Sequence, residues 1–252
     1  SDLDTTPDAK GKERKERKQD RKEKKIFEYE DIKGEPHEIR AKNISPYLVD
    51  APNILIGKRT RPLCDVPPMS FGNMPLDGGN LLLNEDERAE LLAKEPEAGK
   101  FVLPLISAYE FLNGKKRYCL WLVDAQPNEL KKLPEVLKRI DAVRKFRLDS
   151  VALSTQKFAA TPFTFRDKNN PENYILIPST SSENRKYIPF GFFEQNHIAN
   201  NSCHIIPNGS LYHFGILTSA MHMVWVSNVC GRLESRYRYS KDIVYNNFPW
   251  PE

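Results

Sequence analysis

Tyr174-Ile175-Leu176-Ile177-Pro178 and Cys203-His204-Ile205-Ile206-Pro207 are two short apolar runs, each stopped by a proline. Between them, Lys186 to Phe193 is a third β-prone stretch broken at Pro189. Short runs rich in Ile, Tyr and Phe, bounded by Pro, Ser and Asn, read as strands. A helix follows at Gly215 to Gly231, where Ile216, Leu217, Ala220, Val224 and Val229 recur with a glycine just past the end; this predicts one mostly buried helix. The alternation of strands and helices is irregular, so the expected class is α+β, with a mixed or antiparallel β-sheet and several packed helices rather than a doubly wound sheet.

Toward the N-terminus the same kinds of element continue. Pro134 suits the first turn of a helix in which Val136, Leu137, Ile140, Val143 and Phe146 recur at helical spacing, with Lys138, Arg139, Arg144, Lys145 and Arg147 on the other face. Phe101 to Ile106 and Tyr118 to Val123 predict two strands, expected to pair antiparallel across a turn at Asn113 and Gly114. Asn84 with Glu87 three residues on is a capping box for a short helix carrying Leu91 and Leu92 and ending near Lys94. Before it, Pro67, Pro68, Gly72, Gly78 and Gly79 mark a long irregular surface excursion. Ile54-Leu55-Ile56 predicts the first buried strand. Residues 1–25 are nearly all polar, and Lys10 to Lys25 mixes ten Lys and Arg with Glu13, Glu16, Asp20 and Glu23. Such a segment has no apolar face to offset its ordering entropy, so it is expected to be a solvated, partly helical linker.

Composition bounds the function. The chain has 252 residues and 39% of them are apolar, enough for a real core. No stretch approaches the roughly 18 to 20 apolar residues of a membrane span, and no signal peptide is apparent, which points to a soluble, cytoplasmic protein with no membrane partner. Cys64, Cys119, Cys203 and Cys230 form no Cys-x-x-Cys pair, and the five histidines have no complementary spacing, so no metal site is expected. Cys203 and His204 would face opposite sides of their strand. His222, between Met221 and Met223, reads as a hydrogen-bonded packing residue. Neither a Gly-x-Ser-x-Gly elbow, a phosphate loop ending in Gly-Lys-Ser/Thr, nor a His-Glu-x-x-His helix is present. The net charge of +4 does not by itself define a partner.

Two stretches are suited to reading a polar surface. Ser179-Thr180-Ser181-Ser182-Glu183-Asn184-Arg185-Lys186-Tyr187 offers donors and acceptors at nearly every position, although an ordinary solvated loop has the same composition. Arg232 to Lys241 is a second. Extended backbone would put Arg232, Glu234, Arg236 and Arg238 on one face, with Tyr237 and Tyr239 on the other. Arg can fork onto guanine O6 and N7 while Glu accepts from cytosine N4, so this comb has the chemistry of base-edge readout. Its alternative is an internal Arg–Glu network on an exposed strand.

Here the chain also resembles a known family. Asn43 to Pro52, Pro62 to Gly79 with Cys64-Asp65 and Phe71-Gly72-Asn73, Arg117 to Asp124, Ser181 to Ile188, Tyr212 to Ser219 and Arg236 to Pro251 are similar to the target recognition region of the MmeI-like family. These are single-chain bacterial restriction-modification enzymes and relatives that methylate adenine in DNA. The resemblance implies a DNA target recognition domain over residues 26–252, with double-stranded DNA and the methyltransferase domain of a parent protein as partners. The family's Glu-x-Arg-x-Arg pattern falls on Glu234, Arg236 and Arg238, which would read bases, with Ser182, Asn184 and Arg185 as a second reading loop. Lys58, Arg59, Arg61, Lys186 and Lys241 would hold phosphates, contacts that fix register without carrying sequence information.

The family's catalytic motifs are not found here. Val66-Pro67-Pro68-Met69 lacks the amide and the aromatic of the Asn-Pro-Pro-aromatic motif, and Asn247-Phe248-Pro249-Trp250 lacks its proline pair. The expectation is therefore no catalysis and no cofactor in this chain, with S-adenosylmethionine belonging to the parent enzyme. Two other readings are a protein-interaction domain docking the same parent enzyme, with the comb as a salt-bridge interface, and a free-standing enzyme with an unfamiliar site.

Overall fold

The computed structural model describes residues 24–30 and 33–251, so the predicted linker lies outside the described residues except for Lys24 and Lys25, which already belong to a strand. The chain divides into two compact units between Leu55 and Ile56.

The first unit holds β1 (Lys24–Glu28) and β2 (His37–Ala41), an antiparallel pair with Ile26 opposite Ile39. Beyond it, a polar knot shapes residues 43–53: Asp50 accepts from the Asn43 N–H at 2.8 Å, and the Asn43 amide donates to the Ala51 carbonyl at 2.6 Å. Ile54 and Leu55 are exposed and outside any strand, contrary to the predicted buried strand at 54–56. Three apolar residues in a row form a strand only where a neighbouring strand pairs with them, and 54–56 belong to no sheet of the described residues.

The second unit runs through β3 (Ser70–Phe71), β4 (Leu82–Leu83), α1 (Glu85–Lys94), β5 (Val102–Ile106), α2 (Ala108–Asn113), β6 (Tyr118–Leu120), α3 (Pro127–Leu130), α4 (Pro134–Leu148) and α5 (Leu153–Gln156). It continues with β7 (Asn173–Pro178), β8 (Thr180–Ser181), β9 (Gly191–Glu194), β10 (Ile198–Ala199), β11 (Cys203–Pro207), α6 (Leu211–Leu217), α7 (Ala220–Val229), β12 (Gly231–Leu233) and β13 (Arg236–Arg238). Three sheets result, ordered β10-β5-β6-β4, β3-β11-β7-β9 and β12-β13-β8. The β10–β5 pair is parallel and the other pairs are antiparallel, which is the expected α+β class with mixed sheets.

β7 and β11 lie at the centre. Ile175, Ile177 and Ile206 face a core shared with Val226, Tyr237, Tyr239 and Phe248, while Tyr174, Leu176, Cys203 and Ile205 face a second, smaller one. Burial on both faces explains why these strands read as continuous apolar runs. It also puts Cys203 and His204 on opposite faces, as expected. A third core lies between α1, α4 and the β5–β6 pair, which is antiparallel as predicted, with Leu103 opposite Cys119. The connection between them is α2, closed by Gly114 at φ 61°, a left-handed cap that suits glycine, and not a simple turn. Gly72 is required for closeness: a Cβ there would lie 2.3 Å from the Asn200 carbonyl oxygen.

The capping box is formed as read: Asn84 Oδ1 accepts from the Glu87 N–H and the Glu87 carboxylate accepts from the Asn84 N–H, each at 2.8 Å. α4 takes its cap from another part of the chain. The Glu95 carboxylate accepts from the N–H groups of Glu135, at 2.5 Å, and Val136, at 3.3 Å. Two expectations for this helix need correction. Phe146 is half-exposed, and Arg147 does not join the solvated basic face but is fully buried. All five of its N–H groups donate to carbonyls, Nε to Leu76 at 2.8 Å, Nη1 to Phe158 and Thr161 at 2.9 and 2.8 Å, and Nη2 to Pro75 and Thr164 at 3.1 and 2.7 Å.

The helix predicted over Gly215 to Gly231 is instead α6 and α7. Thr218 Oγ1 turns back to the Phe214 carbonyl at 2.8 Å and Ser219 Oγ caps the next helix by accepting from the His222 N–H at 3.2 Å. Such hydroxyl bonds end one helix and start another. α7 is not mostly buried: His222 and Val226 face the core, and Met221 and Val224 are exposed. In the stretch 186–193, strand structure begins only at Gly191.

Candidate nucleic-acid interface

The two polar stretches, some fifty residues apart in sequence, meet in one sheet. Ser181 pairs with Tyr237 and Thr180 with Arg238 where β8 joins β13, and Ser235 Oγ donates to the Glu183 carboxylate at 2.5 Å. That hydrogen bond, ahead of a backbone one, holds the Glu183 pKa below the usual carboxylate value.

The comb is folded rather than extended. β12 and β13 form a hairpin turning at Glu234-Ser235, with Leu233 opposite Arg236 and Arg232 opposite Tyr237. Directly opposed residues share a face, so Arg232 leaves the predicted face, and its guanidinium stacks 3.9 Å over the Tyr237 ring. Neither turn residue is Gly, Asn or Pro, and Glu234 takes φ 58°, so the composition carried little turn signal. Arg236 and Arg238 keep their common exposed face, with Tyr237 buried between them. Arg236 Nη2 meets Glu234 Oε2 at 2.8 Å, one exposed ion pair within the candidate reading set.

Beneath this strand the support is buried and polar. His204 Nε2 lies 3.1 Å from the Tyr239 carbonyl oxygen, which can only accept, so the ring proton is on Nε2. His222 Nε2 lies 3.0 Å from the Tyr239 hydroxyl, the packing role expected of it. Burial depresses the two imidazoles to pKa values of about 4 and about 3, and raises the Tyr239 phenol well above its ordinary value. All three are therefore neutral near pH 7. Fixed dipoles and packed rings hold the backbone that presents Arg236 and Arg238.

The second loop is a local turn around Ser182, whose Oγ accepts from the Asn184 N–H at 3.2 Å and whose carbonyl accepts from the Arg185 N–H at 3.3 Å. Asn184 and Lys186 are exposed, and Arg185 is half-buried beside a shallow groove of about 310 Å³ formed with Tyr187, Met223, Val224 and Tyr237. Lys186 Nζ lies 5.5 Å from the Tyr187 ring centroid.

The expected phosphate contacts gather at a second place. The Arg59 N–H donates to the Asp242 carbonyl at 2.9 Å, and the Asn246 and Asn247 amides donate to the carbonyls of Arg59 and Gly57 at 2.7 and 3.0 Å. These bonds lay the exposed Lys58, Arg59 and Arg61 along the π-helical turn Lys241–Tyr245. Lys241, three residues after Arg238, opens that turn and lies 3.5 Å from Asp242. Lys186 is not tied to this group by any of these bonds. A polar recess of about 540 Å³ that no sequence motif marks lies where Arg166 pairs with Asp167 at 2.9 Å beside Phe71 and Asn169. Its lining comes from segments nearly a hundred residues apart, which no local motif brings together.

Among the described residues no three His, Cys, Asp or Glu side chains gather as a metal site requires, and no helix is long and apolar enough to cross a membrane. The four cysteines are free.

An exposed cationic strand, anchored through buried Tyr237 to an α+β scaffold, defines a recognition module. Residues 50–252 match the family described as MmeI, target recognition domain, and the chain belongs to it. It is 46% identical over 211 residues to DNA methyltransferase A of Bacillus subtilis (strain 168), covering 83% of this chain and 24% of that protein. It is also similar, with a TM-score of 0.86 and 46% identity, to the type IIL restriction-modification enzyme MmeI, solved in complex with DNA. That match covers 92% of this chain and 31% of the MmeI chain. The chain thus spans about a quarter to a third of the proteins it matches.

Proposed function

We propose that this chain is a sequence-reading DNA recognition domain working within a larger adenine-N6 methyltransferase. The observation that carries this reading is the β12–β13–β8 sheet, which joins the two polar stretches and presents Arg236 and Arg238 on one exposed face. In this reading Glu234, Arg236 and Arg238 meet base edges from the hairpin, and Ser182, Asn184 and Arg185 approach from the adjoining loop. Lys58, Arg59, Arg61 and Lys241 line one phosphate track, and Lys186, beside Tyr187, holds a further phosphate. The Glu234–Arg236 pair holds the Arg236 guanidinium in place before DNA arrives.

The domain acts by delegation. It fixes the register of the duplex so that a methyltransferase domain meets one adenine, which leaves the stack before reaction. S-adenosylmethionine belongs to that domain; this chain contributes binding and orientation, no catalytic step and no cofactor, in the cytoplasm of a bacterium. The similarity to a DNA methyltransferase and to a DNA-bound restriction-modification enzyme supports this assignment.

The test is a fluorescence-anisotropy titration with mixed-sequence duplex DNA at several salt concentrations. Binding should weaken with salt, with a log–log slope of about 0.9 per phosphate contact. Arg236→Ala and Arg238→Ala should each weaken binding to the target sequence by about 1 to 3 kcal/mol, roughly 5- to 150-fold. Wild-type affinity in both variants would remove the hairpin from the DNA face.

A further inference from the structure

Among the described residues of the first unit no apolar side chain is buried, and Ser45 alone is buried. Phe27, Tyr29, Leu48, Val49, Ile54 and Leu55 are all exposed, with Leu48 at 72% and Leu55 at 76%. The sheet has two strands, and neither β1 nor β2 has a second partner among the described residues. A lone two-stranded hairpin is marginal in water and needs a third strand or an apolar surface against it. Leu48 adds to this: a leucine held at φ 60° and presented to solvent is strained backbone with no core contact behind it. Open edges and uncovered apolar side chains together describe half of an interface.

Charge decides what the other half is. Residues 24–55 contain five Lys and Arg against six Asp and Glu, and Lys25 is already paired with Glu38 at 2.8 Å. A surface that follows phosphates needs an excess of cations, so this one does not belong to the duplex. A near-neutral surface that exposes Phe, Tyr and Leu side chains fits a protein partner. The partner's source follows from the matches. The fit to MmeI leaves only about 20 residues of this chain outside it, so at least about a third of 24–55 has a counterpart there, while about two thirds of the MmeI chain lies beyond the match.

We infer that residues 24–55 are a docking element, whose open hairpin edge pairs with a strand, and whose Phe27, Leu48 and Leu55 pack on an apolar surface, of the remaining polypeptide of an MmeI-like enzyme. The inference rests on the reading of this chain as part of such an enzyme. Docking of this kind ties the recognition module to the rest of the polypeptide through an interface rather than a flexible tether, so that register set on the DNA is transmitted.

Hydrogen–deuterium exchange tests it in this chain alone and in full-length MmeI, read over the segment that superposes on 24–55, with and without duplex. The amides of β1 and β2 should exchange freely in this chain and at least about 100-fold more slowly in DNA-free MmeI. Protection in this chain alone, no protection in MmeI, or protection in MmeI only after duplex is added would each overturn the inference. A Phe27→Glu, Leu48→Asp variant of this chain gives a second readout. Its melting temperature should stay within about 2 °C of wild type, because those side chains belong to none of the cores of the isolated chain. A clear loss of stability means that they are covered within the chain, and the inference fails. DNA affinity measured on the same variant should change less than about twofold, being governed by the other unit. If docking fails while salt-dependent DNA binding persists, the recognition reading stands; if protection is found without DNA binding, the reverse holds.

Discussion

Replacing Arg147 with methionine removes a cation that no solvent reaches and no carboxylate directly pairs. Its charge is stabilised by five carbonyl dipoles, with Asp77 adding a favourable field while burial lowers the guanidinium pKa. Each of the five N–H groups has one acceptor between 2.7 and 3.1 Å, contributed by two separate segments, 75–76 and 158–164. Hydrogen bonds from a charged donor contribute about 1.5 to 3 kcal/mol each, but their simple sum overstates the loss, because the desolvation of the cation is regained and some carbonyls reach water after relaxation. Breaking a buried charged network from one side typically costs about 3 to 5 kcal/mol, and that is the magnitude expected for Arg147→Met. Arg147→Lys keeps the charge but has three donors for five acceptors, and should lose about 2 to 3 kcal/mol. Urea unfolding followed by tryptophan fluorescence suits the measurement, since Trp121 packs 5.4 Å from Phe165 in the core next to this site. For a unit of this size the methionine variant should melt roughly 6 to 20 °C lower. A loss below about 1 kcal/mol in Arg147→Met would refute the argument, since the five carbonyls would then need no donor.

Acid should destabilise the fold in a definite window. His204 and His222 have folded-state pKa values of about 4 and about 3 against an ordinary 6.5, so the unfolded chain takes up protons first and stability falls as pH drops below about 6.5 toward 4. At pH 5 each contributes a loss of about 2 kcal/mol, to be checked by urea titrations at pH 7 and pH 5; a flat profile in this window would contradict neutral burial. Glu234→Gly should relieve the φ 58° turn and stabilise the hairpin by up to about 1 kcal/mol while releasing Arg236, so a rise in melting temperature should accompany weaker DNA binding. Thiol reagents should label native protein at half-buried Cys64 first. Burial raises the thiol pKa of Cys119, Cys203 and Cys230, which should react only on unfolding; a native count above one would show otherwise.

Local signals carried to the structure where the chemistry was local. The Asn84–Glu87 box, the buried runs of β7 and β11 and the antiparallel β5–β6 pair are all found as read, because each depends on neighbours in sequence or on continuous burial. Long-range partners decided the rest. Nothing in the residues beside Arg147 announces two carbonyls from 75–76 and three from 158–164, and nothing near Pro134 announces Glu95 as the cap of α4. The Gly215–Gly231 pattern hid its break because Thr218 and Ser219 are unremarkable in an apolar periodicity until their hydroxyls find backbone partners. At the candidate interface the residue types and their segments were legible, and so was the shared face of Arg236 and Arg238. The hairpin that moves Arg232 to the Tyr237 side and the pairing with β8 were not, since register across fifty residues is set by the core rather than by either segment.

The alternation along β13 divides responsibility between neighbouring positions. Tyr237 and Tyr239 are locked into the core with His204 and His222, whereas Arg236 and Arg238 contribute almost nothing to it. Selection can therefore rewrite what this strand contacts one exposed residue at a time without passing through unfolded intermediates. Mutational tolerance and a change of preference are compatible here because the backbone's anchoring residues are not the ones that face outward.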